Sequence, residues 1–162
     1  LMKNDDAILL KKYLSRYYRA KQRNAILKNR LAEISEELEH PSMPPCKTDA
    51  MKVDTSEGGE GAASLVFKKA DVEDRIQKQI ESEVQIILDI NDVLECLPSD
   101  SVERSILELR HLDCKGWGYI SRATHLTRSP CYDHYKKGIR MLLQHPFVQK
   151  KLEAYKNHTR TE

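Results

Sequence analysis

Between Leu10 and Leu38 a nine-position seam advances by alternating steps of three and four: Leu10, Tyr13, Tyr17, Ala20, Asn24, Leu27, Leu31, Ile34 and Leu38. This is a heptad pattern with Leu10 at a and Tyr13 at d, and it predicts a helix over residues 5–39. No Gly or Pro interrupts it, and Asp5 and Asp6 suit the positive end of the helix dipole. At 1.5 Å per residue such a helix would be about 50 Å long. Asn24 falls at an a position, where a buried amide fixes register and partner number at some cost in stability. Lys21, Arg23, Lys28 and Arg30 occupy the flanking e and g positions, which would suit an acidic partner.

The pattern then lapses. Residues 40–64, HPSMPPCKTDAMKVDTSEGGEGAAS, hold three Pro and three Gly without an apolar period. They predict a flexible linker, taken as 40–67 because the next helix is read from Lys68. Over 68–97 an apolar stripe returns at Ile76, Ile80, Val84, Ile87, Ile90, Leu94 and Leu97, and Pro98 ends it. The two long helices could fold back as an antiparallel hairpin or pair between chains as a coiled coil.

Shorter periods follow. Ser101 can cap a helix over 102–112 with Val102, Ile106, Leu109 and Leu112 inward. The DCKG stretch, residues 113–116, breaks it. A helix from Trp117 to Thr124 and another from Arg128 to Gln144 come next. His145-Pro146 interrupts again, and 145–162 reads as a short terminal helix or tail that frays. The expected fold class is therefore all-α: long N-terminal helices over 5–97, read as an oligomerisation region, then a C-terminal helix-turn-helix domain over 101–144.

Charge sharpens this division. Residues 1–39 carry +3 (nine basic, six acidic) and 40–69 are neutral (four of each). Residues 70–100 carry −7 (two basic, nine acidic), and 101–162 carry +6 (twelve basic, six acidic). The C-terminal third can attract a polyanion and the acidic helix cannot, which turns that helix away from DNA. No apolar run reaches the roughly 20 residues of a membrane span. LMKNDDAILLKKYL is too charged for a secretory signal, and four unevenly spaced Cys read as free thiols, so a cytoplasmic location is expected.

The stretch ERSILELRHLDCKGWGYISRATHLTRSPCYDHYKKGIRML carries a further signal. Glu103-Arg104, Leu107, Leu109-Arg110, Trp117, Ile120, Thr127-Arg128 and Lys136-Lys137 together resemble the C-terminal DNA-reading domain of sigma factors. The layout is similar to phage-encoded late-transcription regulators of the ArpU and RinA kind, which join a charged helical region to such a domain. That resemblance implies a sigma-factor-region-four-like helix-turn-helix, with double-stranded DNA, a second copy of the chain and RNA polymerase as partners. The chain departs from the pattern at His125, where the turn usually has Gly, and at Cys131 and His134, where Val and Ile or Leu are usual. Gly138 stands where Ala would favour a helix by about 1 kcal/mol.

Placing Thr127 as N-cap puts Arg128, Ser129 and Pro130 in the first turn, where a missing N–H costs no ladder bond. With Cys131, His134, Gly138 and Leu142 inward, the outward set is Arg128, Ser129, Tyr132, Asp133, Lys136, Lys137 and Arg140. Residues at the start of a recognition helix reach base edges and later cations meet phosphate. Arg128 suits guanine O6 and N7, Tyr132 a thymine methyl or a phosphate, and Asp133 only a cytosine amino group.

Other chemistry is thinly represented. His111-x2-Cys114 and Cys131-x2-His134 have ligand-like spacing, but Cys131 and His134 fall where a core is needed, so no metal or other cofactor is expected. Trp117 reads as a packing residue, and the Tyr13, Tyr17, Tyr18 cluster with Arg16 and Arg19 as helix packing. Gly58-Gly59-x-Gly61 lacks the Lys-Ser/Thr of a phosphate loop. No nucleophile and base are paired, so the expectation is a DNA-binding regulator acting as an oligomer, not an enzyme. A phage DNA-packaging recognition subunit and an RNA-polymerase-binding adaptor are the alternatives.

Overall fold

The computed structural model describes residues 4–41 and 61–159, and every regular element among them is a helix. In order they are α1 (Asn4–Leu14), α2 (Arg16–Glu39), α3 (Ala62–Leu94), α4 (Val102–His111), α5 (Trp117–Thr124), α6 (Arg128–Gln144) and α7 (Pro146–His158). No described helix is long and apolar enough to cross a membrane. Residues 42–60, most of the expected linker, lie outside the described residues. Of the linker's described positions, 40, 41 and 61 lie outside the helices, and 62–67 already belong to α3.

The expected helix over 5–39 is broken at Ser15, between α1 and α2. The break exposes carbonyls at the end of α1, and side chains take them. Arg19 Nη2 donates to Lys12 O at 2.8 Å and Arg16 Nε to Tyr13 O at 3.2 Å. His111 bonds the backbone of Leu14. Orphan carbonyls at a helix end need such partners. The seam survives the break, since all nine of its positions are buried or half-buried.

The described residues divide into two units, 4–21 with 83–159, and 22–41 with 61–82. This grouping differs from the expected division at 97–101. In the first unit Leu10, Tyr13 and Leu14 of α1 and Ile90, Val93 and Leu94 of α3 share one core with Ile106, Leu107, Ile120, Ile139 and Leu142. Short amphipathic helices with few aromatics leave apolar faces uncovered, and the ends of the long helices cover them. Arg16 and Lys151 each pair with Asp89 at 3.4 Å, fastening α2 and α7 to α3 within one chain.

Two faces differ from their expected orientation. On α3 Ile80 and Val84 are exposed and Val93 is buried instead, because the α3 core contact is made by residues 90–97. On α4 Val102 is exposed while Glu103, Ile106, Leu107 and His111 are buried. That helix turns its mixed polar–apolar side inward, and hydrophobicity alone cannot signal it. The C-terminal segment is also more than a fraying tail. Val148 and Leu152 of α7 are buried, and Tyr155 meets Tyr13 edge-on at 5.3 Å.

In the second unit Leu27, Leu31, Ile34 and Leu38 of α2 and Leu65 and Val72 of α3 are half-buried, while Ile76 is buried. Asn24 is buried there too, and its Oδ1 has no hydrogen-bond partner among the described residues.

Candidate nucleic-acid interface

The α4–α6 segment is built from short-range signals that the sequence carries openly. Ser101 caps α4, its Oγ accepting from Arg104 N at 3.2 Å and donating to Pro98 O at 2.8 Å. The break after α4 puts Cys114, not Gly116, in the left-handed region (φ 55°), and Gly116 instead starts α5 in extended conformation.

Between α5 and α6 lies a three-residue turn, 125–127. His125 holds φ 56° and ψ 27°, the left-handed conformation that ends α5. His is among the few non-Gly types enriched in this region. Leu126 N donates to Ser121 O at 3.1 Å, the six-to-one bond of a Schellman ending, and Ser121 Oγ donates to Leu126 O. Thr124 Oγ1 donates to Ile120 O at 2.8 Å and contacts Cys131 Sγ at 3.4 Å. The turn is thus fixed from both helices.

α6 begins at Arg128, with Thr127 as an extended N-cap that makes no side-chain cap bond. Cys131 N donates to Thr127 O at 3.2 Å, so Pro130 sits in the first turn, where its nitrogen owes nothing to the ladder. The buried face is Cys131, Tyr135, Gly138, Ile139, Leu142 and Leu143. Of the expected inward set, His134 departs from the core and is only half-buried.

Gly138 explains how closely α4 and α6 approach. A Cβ there would lie 2.8 Å from Leu107 Cδ1 and 3.2 Å from Glu103 Cβ. The helix propensity lost to glycine is offset by contact that Ala would obstruct.

Polar contacts reinforce this packing. Glu103, only 6% exposed, receives Lys137 Nζ at 2.7 Å and His134 Nδ1 at 3.0 Å on the same Oε1. The hydrogen bond from Lys137, with a further one from His134, outweighs burial and holds the carboxyl down at about 2. Buried His111 faces the Tyr135 hydroxyl at 3.1 Å through Nε2. Burial is the main cause that pushes His111 down to about 4 and Tyr135 up to about 12. The neutral imidazole hydrogen-bonds the phenol through Nε2, with the Leu14 backbone beside it.

All seven outward residues expected from the sequence are exposed: Arg128, Ser129, Tyr132, Asp133, Lys136, Lys137 and Arg140. Four are cations and one is an anion. Arg128 lies across α5, its Nη2 at 3.8 Å from where a Cβ on Gly118 would stand. Tyr132 stacks on Trp117 with ring centres 4.3 Å apart. Asp133, Lys137 and Arg140 line one shallow depression with Pro130 and His134. No family model, curated protein or solved structure matches the chain.

The two ligand-like pairs serve other ends. His111 and His134 bond Tyr135 and Glu103, and Cys131 is wholly buried. Among the described residues no group of three or more His, Cys, Asp or Glu could hold a metal ion. Sequence reasoning missed Glu103 as a buried carboxylate and His111 with Tyr135 as a buried pair. Their partners lie 31, 34 and 24 residues away, beyond any local pattern.

Proposed function

We propose that the chain is a sequence-specific double-stranded DNA-binding transcription regulator of phage or prophage origin, acting as an oligomer. One observation carries the reading. A turn fixed by its own hydrogen bonds joins α5 to α6, and α6 presents four cations and Tyr132 on one exposed face. A helix offered in this way suits the major groove, with Arg128 and Ser129 at its leading end and Lys136 and Arg140 behind. Binding, not catalysis, is the role such a face serves.

The second unit supports self-association. Leu27, Leu31, Ile34 and Leu38 keep part of their apolar surface in solvent, and a second copy would cover it. Pairing two small reading domains on adjacent half-sites raises affinity through effective concentration.

Unbiased selection of bound duplex sequences, with solution mass measured alongside, tests the reading. A recovered consensus, footprinted and weakened by added salt, is the expected result. Recovery of no sequence, with the chain folded, would remove it.

A further inference from the structure

Tyr132 exposes 45% of its surface on α6, yet its ring is not free to turn. One face stacks on Trp117, the planes 27° from parallel. Trp117 is held edge-on by Tyr135, with ring centres 5.4 Å apart, and capped by the Arg110 guanidinium at 5.3 Å. Tyr135 is buried and anchored through its hydroxyl to His111. A continuous series of contacts thus runs from the core to an exposed phenol.

A side chain immobilised before contact loses little freedom on binding, which is why rigid aromatics make effective anchors. Trp117 covers one face of the Tyr132 ring, which leaves the opposite face for a ligand. Arg128, Ser129 and Lys136, three or four residues away along α6, flank it. Phosphates are served better by the cations beside it than by a neutral phenol. An apolar ring face matches the C5 methyl of thymine, the apolar group displayed at base edges in the major groove.

Resting on the DNA-binding reading above, we propose that Tyr132 is a specificity-determining residue that packs on a thymine methyl, and that Trp117 is the positioning residue that presents it. Trp117 itself need not touch DNA. This gives the exposed aromatic a defined chemical target and gives the half-buried one a reason to lie beneath it.

The test uses the full chain and the site recovered by selection. Each thymine is replaced singly by uracil, which deletes only the methyl group. At one thymine position the wild-type chain should lose about fourfold in affinity, the worth of one buried methyl. Tyr132→Ala should bind thymine and uracil there equally. Trp117→Ala should erase most of the discrimination, and Trp117→Phe, which keeps a ring beneath Tyr132, should restore it. A purely structural role for Trp117 would weaken every site alike and leave the thymine-to-uracil ratio unmoved. Circular dichroism melts establish that each variant is folded. Should Trp117→Ala unfold, Tyr132→Ala and Trp117→Phe still decide. If the site is bound but no uracil substitution separates wild type from Tyr132→Ala, the proposal is overturned. If no site is recovered at all, the DNA-binding reading fails first and takes this one with it.

Discussion

The ammonium of Lys137 lies 2.7 Å from Oε1 of Glu103, an oxygen that His134 Nδ1 also meets at 3.0 Å. One nearly buried carboxylate on α4 therefore gathers two side chains from neighbouring positions of α6. It fixes the orientation of the helix whose outer face carries the candidate interface.

Replacing that carboxylate should loosen the attachment. Glu103→Gln is expected to lower stability by about 1–2 kcal/mol at neutral pH, since hydrogen bonds to a charged acceptor become weaker neutral ones. Urea unfolding of Glu103→Gln, Lys137→Ala and the double variant checks it. The double variant should lose less than the two singles together, and strict additivity would show that the pair is not coupled.

Acid should destabilise the fold in two separable windows. His111 is neutral in the folded chain, with its pKa lowered from 6.5 to about 4. Its contribution is complete above pH 6.5 and falls away as pH drops towards 4, because the unfolded chain takes the proton first. The full effect is about 3 kcal/mol. Glu103, lowered from 4.5 to about 2, adds stability above pH 4.5 that is lost as pH falls towards 2. Stability measured against pH should lose its slope between 6.5 and 4 in His111→Gln while keeping the lower window. An unchanged upper slope would assign it to another group.

Gly138 offers a steric test. Gly138→Val is expected to cost more than about 2 kcal/mol, since the added methyls meet Leu107 and Glu103 while the helix gains little from a β-branched residue. Gly138→Ala should fall nearer neutral, helix propensity offsetting the contact with Leu107. Thermal melts of both variants decide, and a stable Gly138→Val would mean that α4 and α6 separate without penalty.

The cations of α6 should not be equivalent. Lys136→Ala is expected to reduce the salt dependence of DNA binding by about one counterion, equally for all sequences. Lys137→Ala should change it less, because its ammonium is already engaged by Glu103. Arg128→Ala should relax base preference. Binding isotherms across a salt series, on specific and random duplexes, distinguish the three.

Much of the local structure was legible in advance. The limits of α5 and α6 and the place of Pro130 follow from caps and periodicity, while the left-handed residue at His125 follows only from the Gly that the resembled turn carries there. The seven outward residues of α6 follow from the same 3.6-residue period. Gly138, read as a propensity penalty, became intelligible only once Leu107 and Glu103 were seen beside it. Glu103 itself had no signal, because a charged residue next to an arginine in a first turn looks like an exposed one.

The sequence by itself determined α4 to α6 and the turns between them, since those depend on hydrogen bonds within a few residues and on the spacing of apolar side chains; it did not show the break at Ser15. It also determined which side of α6 faces out. Only the tertiary structure decided how the chain divides. Residues 4–21 and the end of α3 joined the C-terminal helices because those helices had apolar faces to cover, and what covers a face is set by packing between residues far apart in the chain.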